Sequence, residues 1–252
     1  MLTDELLNYL FDGKQHLLTA PLKSWLSSSR RFTGFVNTFR NKIRKKLRVM
    51  QDQETLYDLQ LELETAFLLL KERTLSVIYE PEQNRQVRSP DFAVTFTTSL
   101  TFMVEVTRLR ALPREATLSF DNGTPIEAER LTDAICSKLG QFLPNRSNIL
   151  IVGMDDVSLS QRDLQAVMLR LQQRAERNVD PVFWKRYGFH DRAGFFQHFH
   201  RLSEVLVRRS QLQGEQSTIG WINPQAKQPL PGKVRTAIHR SHTCNDWRIR
   251  PI

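Results

Sequence analysis

The sequence predicts an α/β protein in which helices flank a central mixed sheet of about five strands, preceded by a helical arm. Three observations carry that reading. Apolar residues recur three or four apart between residues 30 and 73, an alternating hairpin pattern runs from Phe92 to Thr107, and the unbroken apolar run NILIVGM occupies residues 148–154. The composition allows a core of the necessary size: 252 residues, of which 40% are hydrophobic and 25% charged, with only ten glycines. No run of about 18 apolar residues is present to span a bilayer, and the chain opens with Asp4 and Glu5 where a leader would be basic and then apolar. Two cysteines, Cys136 and Cys244, cannot supply a disulfide framework or a four-cysteine zinc site, so the expected setting is a reducing cytoplasm without membrane insertion.

Charge divides the chain. Thirty-six Lys and Arg against 27 Asp and Glu leave a net +9, which points to a polyanionic partner or an acidic membrane surface. Residues 1–50 hold ten basic and three acidic residues, and residues 227–252 hold six and one. The expected organisation is a basic N-terminal helical arm over 1–50, a main domain over 51–232 and a basic tail over 233–252. From Arg30 to Arg48, Phe32, Phe35, Phe39, Ile43 and Leu47 recur at helical spacing, so the aromatic stripe is expected to pack on the rest of the protein. The other side carries Arg30, Arg31, Arg40, Lys42, Arg44, Lys45, Lys46 and Arg48, with no acid in the run to form i,i+4 pairs. It is the candidate grip on nucleic-acid phosphates. The alternatives are a solvated charged face and a lipid-surface helix.

A second helix is expected from Gln51 to about Arg73, with Leu56, Leu59, Leu63, Phe67 and Leu70 on one stripe. Val77, Ile78 and Tyr79 read as a short strand, and a polar loop leads to Pro90. Then Phe92, Val94 and Phe96 alternate with smaller residues, as do Phe102, Val104 and Val106. A turn centred on Thr98 sets Asp91 directly opposite Glu105. Like charges across a strand pair are destabilising, and a divalent cation bound by both carboxylates would compensate. The alternative is a shifted register, with both acids solvated at the sheet margin.

Pro90-Asp91, a hairpin, and Glu105-Val106-Thr107 closing an apolar strand resemble the motif of the PD-(D/E)xK superfamily, the restriction-endonuclease-like nucleases. The resemblance covers residues 52–155, extending through SEVLV at 203–207 and the segment Trp221 to Pro231. It implies a restriction-endonuclease-like sheet with a glutamate-bearing helix before the hairpin and a helix and strand after it. It also implies that Asp91, Glu105 and the main chain of Val106 bind Mg²⁺ or Mn²⁺, and that the acid on the preceding helix is Glu62, preferred here to Glu64. Thr107 stands where the family has its lysine. A hydroxyl carries no charge to activate water or steady the transition state.

The helix after the hairpin opens at Thr124-Pro125-Ile126-Glu127, a capping box with proline at the first helical position, and is expected to run to Phe142. Leu131, Ile135, Lys138 and Phe142 share its apolar stripe. A lysine there is costly unless paired, and members of the resembling family can carry their lysine on this helix. Lys138 is thus the candidate catalytic cation, with Gln141 on the same face; the alternative is a snorkelling side chain. A helix from Ser160 to Arg177 with Leu164, Val167, Met168 and Leu171 on one face should cover the sheet.

Other signals are weaker. His198 and His200, two apart on a helix, are poor joint ligands. His239, His242, Cys244 and Asp246 in the tail lack a second paired cluster for zinc. Asp155-Asp156 is read as a loop cap. No phosphate-cradling glycine loop, nucleophile elbow or HExxH motif is present. The expectation is a metal-dependent nuclease acting on DNA in preference to RNA, active as a homodimer if it follows the habit of many such enzymes. The alternative is a nuclease-fold module without catalysis that binds nucleic acid or a protein.

Overall fold

A computed structural model of the chain describes residues 2–50, 52–81, 89–110, 126–154, 159–177, 181–209 and 218–243. Four helices come first: α1 (Thr3–Phe11), α2 (Thr19–Ser28), α3 (Arg30–Val49) and α4 (Gln53–Lys71). Side-chain caps set the last two starts. Ser29 accepts from the Phe32 N–H at 3.2 Å, and Asp52 accepts from that of Thr55 at 2.8 Å. The hairpin region follows as β1 (Leu75–Tyr79), β2 (Phe92–Phe96) and β3 (Leu100–Leu109), then α5 (Ile126–Leu139) and β4 (Asn148–Met154). Next come α6 (Gln161–Arg177), α7 (Pro181–Tyr187), α8 (Arg192–Phe199), β5 (Leu202–Arg209), β6 (Thr218–Ile222) and α9 (Gly232–Thr243). The capping residues Thr124 and Pro125 lie outside the described residues, and α5 stops three residues short of Phe142.

The strands lie side by side in chain order, β1 to β6. The pairs β1/β2, β2/β3 and β5/β6 are antiparallel, and β3, β4 and β5 are parallel, joined by helical crossovers. The sheet is therefore mixed, with six strands among the described residues where about five are expected from pattern. The addition is β6, whose short TIGWI segment has a glycine at its centre and is recognisable only by its pairing with β5. All seven residues of β4 are buried, as an internal parallel strand covered on both faces requires.

One face of the sheet packs against α1–α4 and α9, and the other against α5–α8. Gly153 of β4 lets α4 settle onto the sheet, since a Cβ there would stand 2.6 Å from Leu61 Cδ2. From Leu59 to Leu70, α4 is buried on nearly every side, which a single apolar stripe does not announce. The expected domain boundaries need correction on the same ground. Leu6, Trp25, Phe32 and Phe35 share one continuous core with Phe67, Phe92 and Val104, so residues 1–50 are a layer of the fold and no appendage. In the expected tail, residues 232–243 form α9, whose Val234, Ala237 and Ile238 enter that core. A sheet face has to be covered by something, and these helices cover it. Among the described residues no helix is long and apolar enough to cross a membrane.

Candidate active site

Phe92 pairs with Val104 and Val94 with Phe102, the register that a turn at Thr98 dictates. One step further sets Asp91, at the foot of β2, across from Glu105. β3 runs on past the end of β2, and there Asp91 Oδ2 accepts the Val106 N–H at 2.7 Å. A carboxylate thus takes the place of the next ladder acceptor. From α5, Lys138 Nζ comes to 3.1 Å from Glu105 Oε2 and 3.4 Å from Gln141 Oε1. The lysine side chain is 14% exposed and that of Glu105 3%, so the stripe position of Lys138 is resolved by pairing. A cleft of about 370 Å³ opens above, its walls including Asp58, Glu62, Asp91, Thr107, Arg110 and Lys138.

Glu62 reaches the cleft from α4. Its Oε2 accepts from Tyr79 Oη at 2.6 Å and from Lys46 Nζ at 2.8 Å. Lys46 also meets Glu80 at 2.8 Å and lies 4.8 Å from the centre of the Tyr79 ring. Glu80 holds a left-handed backbone at φ 42° while its N–H bonds the Asp91 carbonyl at 2.8 Å. Tyr79, Glu80 and the site role of Lys46 escape sequence reasoning. Tyr79 reads as a strand residue, and Lys46 as one cation among eight; only the polar ends meeting at Asp91 single them out.

Burial first, and then the neighbouring Glu105, push the Asp91 carboxyl up to about 6, against the pull of Lys138, the Val106 N–H and Lys46. Burial and Asp91 likewise raise Glu62, opposed by Lys46 and Tyr79. Burial alone would lower Lys46, but Glu62 and Glu80 outweigh it and hold the ammonium above its ordinary value. Burial and Glu62 raise the Tyr79 phenol as well. Three acids crowded in one dry place, one of them kept well above its usual range, is the electrostatics of a site that favours added positive charge. Among the described residues no group of three or more His, Cys, Asp or Glu side chains is gathered as a ready-made metal site. Asp91 and Glu105 nevertheless fit a hard divalent cation, which takes one or two carboxylates and completes its sphere with water or phosphate oxygens.

Other acids and cations go elsewhere. Glu64 is buried and pairs with Arg208 of β5 at 3.0 Å. Arg108 turns away from Glu105 toward α4, pairing with Glu54 and, at 3.1 Å, Asp58.

The cationic face of α3 is the main correction. Arg31 clamps the carbonyls of Leu70, Glu72 and Leu75, and Lys42 bonds the Glu80 carbonyl at 2.8 Å. Arg44 and Arg48 meet Asp12, Arg40 bonds Asn37 at 2.8 Å, and Lys46 is held by Glu62 and Glu80. The acids that α3 lacks at i,i+4 are supplied by α1, α4 and the end of β1. Arg30, Arg31, Lys45 and Arg48 are the exposed members of the set, Arg31 and Arg48 with the partners just named.

His198 bonds the Gly194 carbonyl at 2.8 Å, His239 meets Glu204 and His242 is buried. Asp155, Asp156, Cys244 and Asp246 lie outside the described residues. No family model, no curated protein and no solved structure matches the chain.

Proposed function

We propose that the protein is a metal-dependent nuclease that hydrolyses phosphodiester bonds of DNA in preference to RNA, on the plan of the PD-(D/E)xK superfamily. The observation that supports it most is the ammonium of Lys138, 3.1 Å from Glu105, which supplies from α5 the cation that Thr107 lacks. Asp91 and Glu105, with the main chain of Val106, would hold Mg²⁺ or Mn²⁺. Such an ion polarises a phosphoryl oxygen and makes bound water a nucleophile near neutral pH. Lys138 stands where it can orient that water and offset charge that builds up on the phosphoryl oxygens. The Val106 N–H holds Asp91 in place, and Tyr79 and Lys46 fix Glu62 beside it. Arg110 at the cleft wall is held by Asp58 at 3.3 Å but is 56% exposed, and would meet an adjoining phosphate from there.

The test is cleavage of plasmid and of RNA in Mg²⁺ or Mn²⁺ by the wild type, Asp91→Ala and Lys138→Met. Both variants should lose on the order of a hundredfold or more in rate while remaining folded. Cutting that persists in Asp91→Ala sinks the assignment. The second reading, a non-catalytic module, is favoured by Thr107 itself. It is distinguished by salt-sensitive nucleic-acid binding that is indifferent to metal.

A further inference from the structure

Away from the cleft, a second cavity of about 390 Å³ is lined by Arg235, Thr236, His239 and Arg240 of α9. Below it lies Glu204 of β5, whose side chain is only 1% exposed. Glu204 Oε1 accepts from His239 Nε2 at 2.6 Å, and Oε2 accepts from Arg235 Nε at 3.3 Å. A carboxylate has no hydrogen to give, so Nε2 carries one, and the ring orientation is fixed. Arg235 is held again by the Leu230 carbonyl at 3.2 Å, and Arg240 reaches Glu72 at 3.3 Å. Gly220 of β6 makes the room. A Cβ there would stand 3.3 Å from His239 Cε1, 3.6 Å from Glu204 Oε1 and 3.0 Å from Leu206 Cδ2. The segment from Gly232 to Thr243 contains Lys233, Arg235 and Arg240 and no acid.

We propose that this cavity binds a phosphoryl group. One buried carboxylate holds Arg235 and His239 in place before any ligand arrives, which lowers the ordering cost of binding; with Nε2–H given to Glu204, the donors left for a ligand are the outward guanidinium N–H groups of Arg235 and Arg240. Guanidinium groups in the wall repel a metal ion and match the fork geometry of a phosphate. A nucleic-acid backbone and a free phosphorylated molecule present the same tetrahedral oxyanion, and either can supply it. None of the four lining residues belongs to the cleft of Asp91, so the site does not depend on the nuclease reading.

The full-length protein is titrated with inorganic phosphate, with a mononucleotide and with a short DNA duplex. The ring resonances of His239, assigned through His239→Gln, are followed by NMR, and affinities are measured without reading cleavage. Phosphate and the mononucleotide should shift those resonances. Arg240→Gln should weaken their binding by about tenfold, with thermal unfolding unchanged because Arg240 is 64% exposed. Thr236→Glu, on the exposed side of α9, should act in the same direction by repulsion. A parallel loss of duplex affinity identifies the source as nucleic acid, and an unchanged duplex affinity identifies it as a free phosphorylated molecule. If no probe moves the His239 resonances, or if both variants bind every probe as the wild type does, the proposal is overturned.

Discussion

Asp91 and His242 are both buried, and they pull stability in opposite directions with pH. The Asp91 carboxyl sits at about 6 against 3.8 in an exposed chain. Its contribution is therefore complete below about pH 4 and is lost as pH rises through 6, amounting to roughly 3 kcal/mol. His242 is buried with Nδ1 bonded to the Ile238 carbonyl at 2.9 Å, and burial together with Arg208 lowers it to about 3. The unfolded chain takes up that proton first, so stability falls as pH drops from 6.5 toward 3, by roughly 5 kcal/mol at most. Between pH 6 and 4 the two slopes oppose each other. Asp91→Asn should raise stability at pH 8, whereas His242→Leu should flatten only the acid limb; urea melts across pH 4 to 8 measure both. If Asp91→Asn is no more stable than the wild type at pH 8 in the absence of metal, the carboxylate is not under the strain described.

On the scale of elements, α3 shows how charge in a sequence differs from charge on a surface. Arg31 and Lys42 bond carbonyls at the edge of β1 and at its end, which shields an edge strand that would otherwise offer unpaired groups. Gln161 does the same at the opposite edge, receiving the Gly220 N–H at 3.1 Å. Arg31→Ala should cost about 1–3 kcal/mol in urea unfolding, because three carbonyls lose a donor and only that of Glu72 keeps another, the Leu75 N–H. Lys45→Ala should stay within about 0.5 kcal/mol of the wild type. If α3 meets nucleic acid, Lys45 and Arg30 are exposed on it outside the ion pairs above, and their removal should lower the salt slope by about one each. Equal stability effects at Arg31 and Lys45 would contradict the clamp.

For the molecule as a whole, the N-terminal helices are part of the core. A fragment of residues 51–252 would expose Phe67, Tyr79 and Phe92, whose rings lie against Trp25, Phe35 and Phe39. It should show no cooperative thermal transition by calorimetry, and a sharp transition would restore the picture of an appended arm. The sequence by itself determined the alternation of the two hairpin strands, because side chains alternate with a period of two, and it set Asp91 opposite Glu105 only for a turn centred on Thr98; the observed strand pairing decided for that turn over a shifted one. It also determined that Lys138 lies on a buried stripe. Only the tertiary structure decided which charges on α3 are spent internally, that Glu64 finds Arg208, and that Lys46, Glu62 and Tyr79 converge on Asp91. Apart from Arg40, whose partner Asn37 is three residues away, those partners lie between 16 and 144 residues apart, and no pattern within a single helix encodes which distant acid will neutralise a given cation.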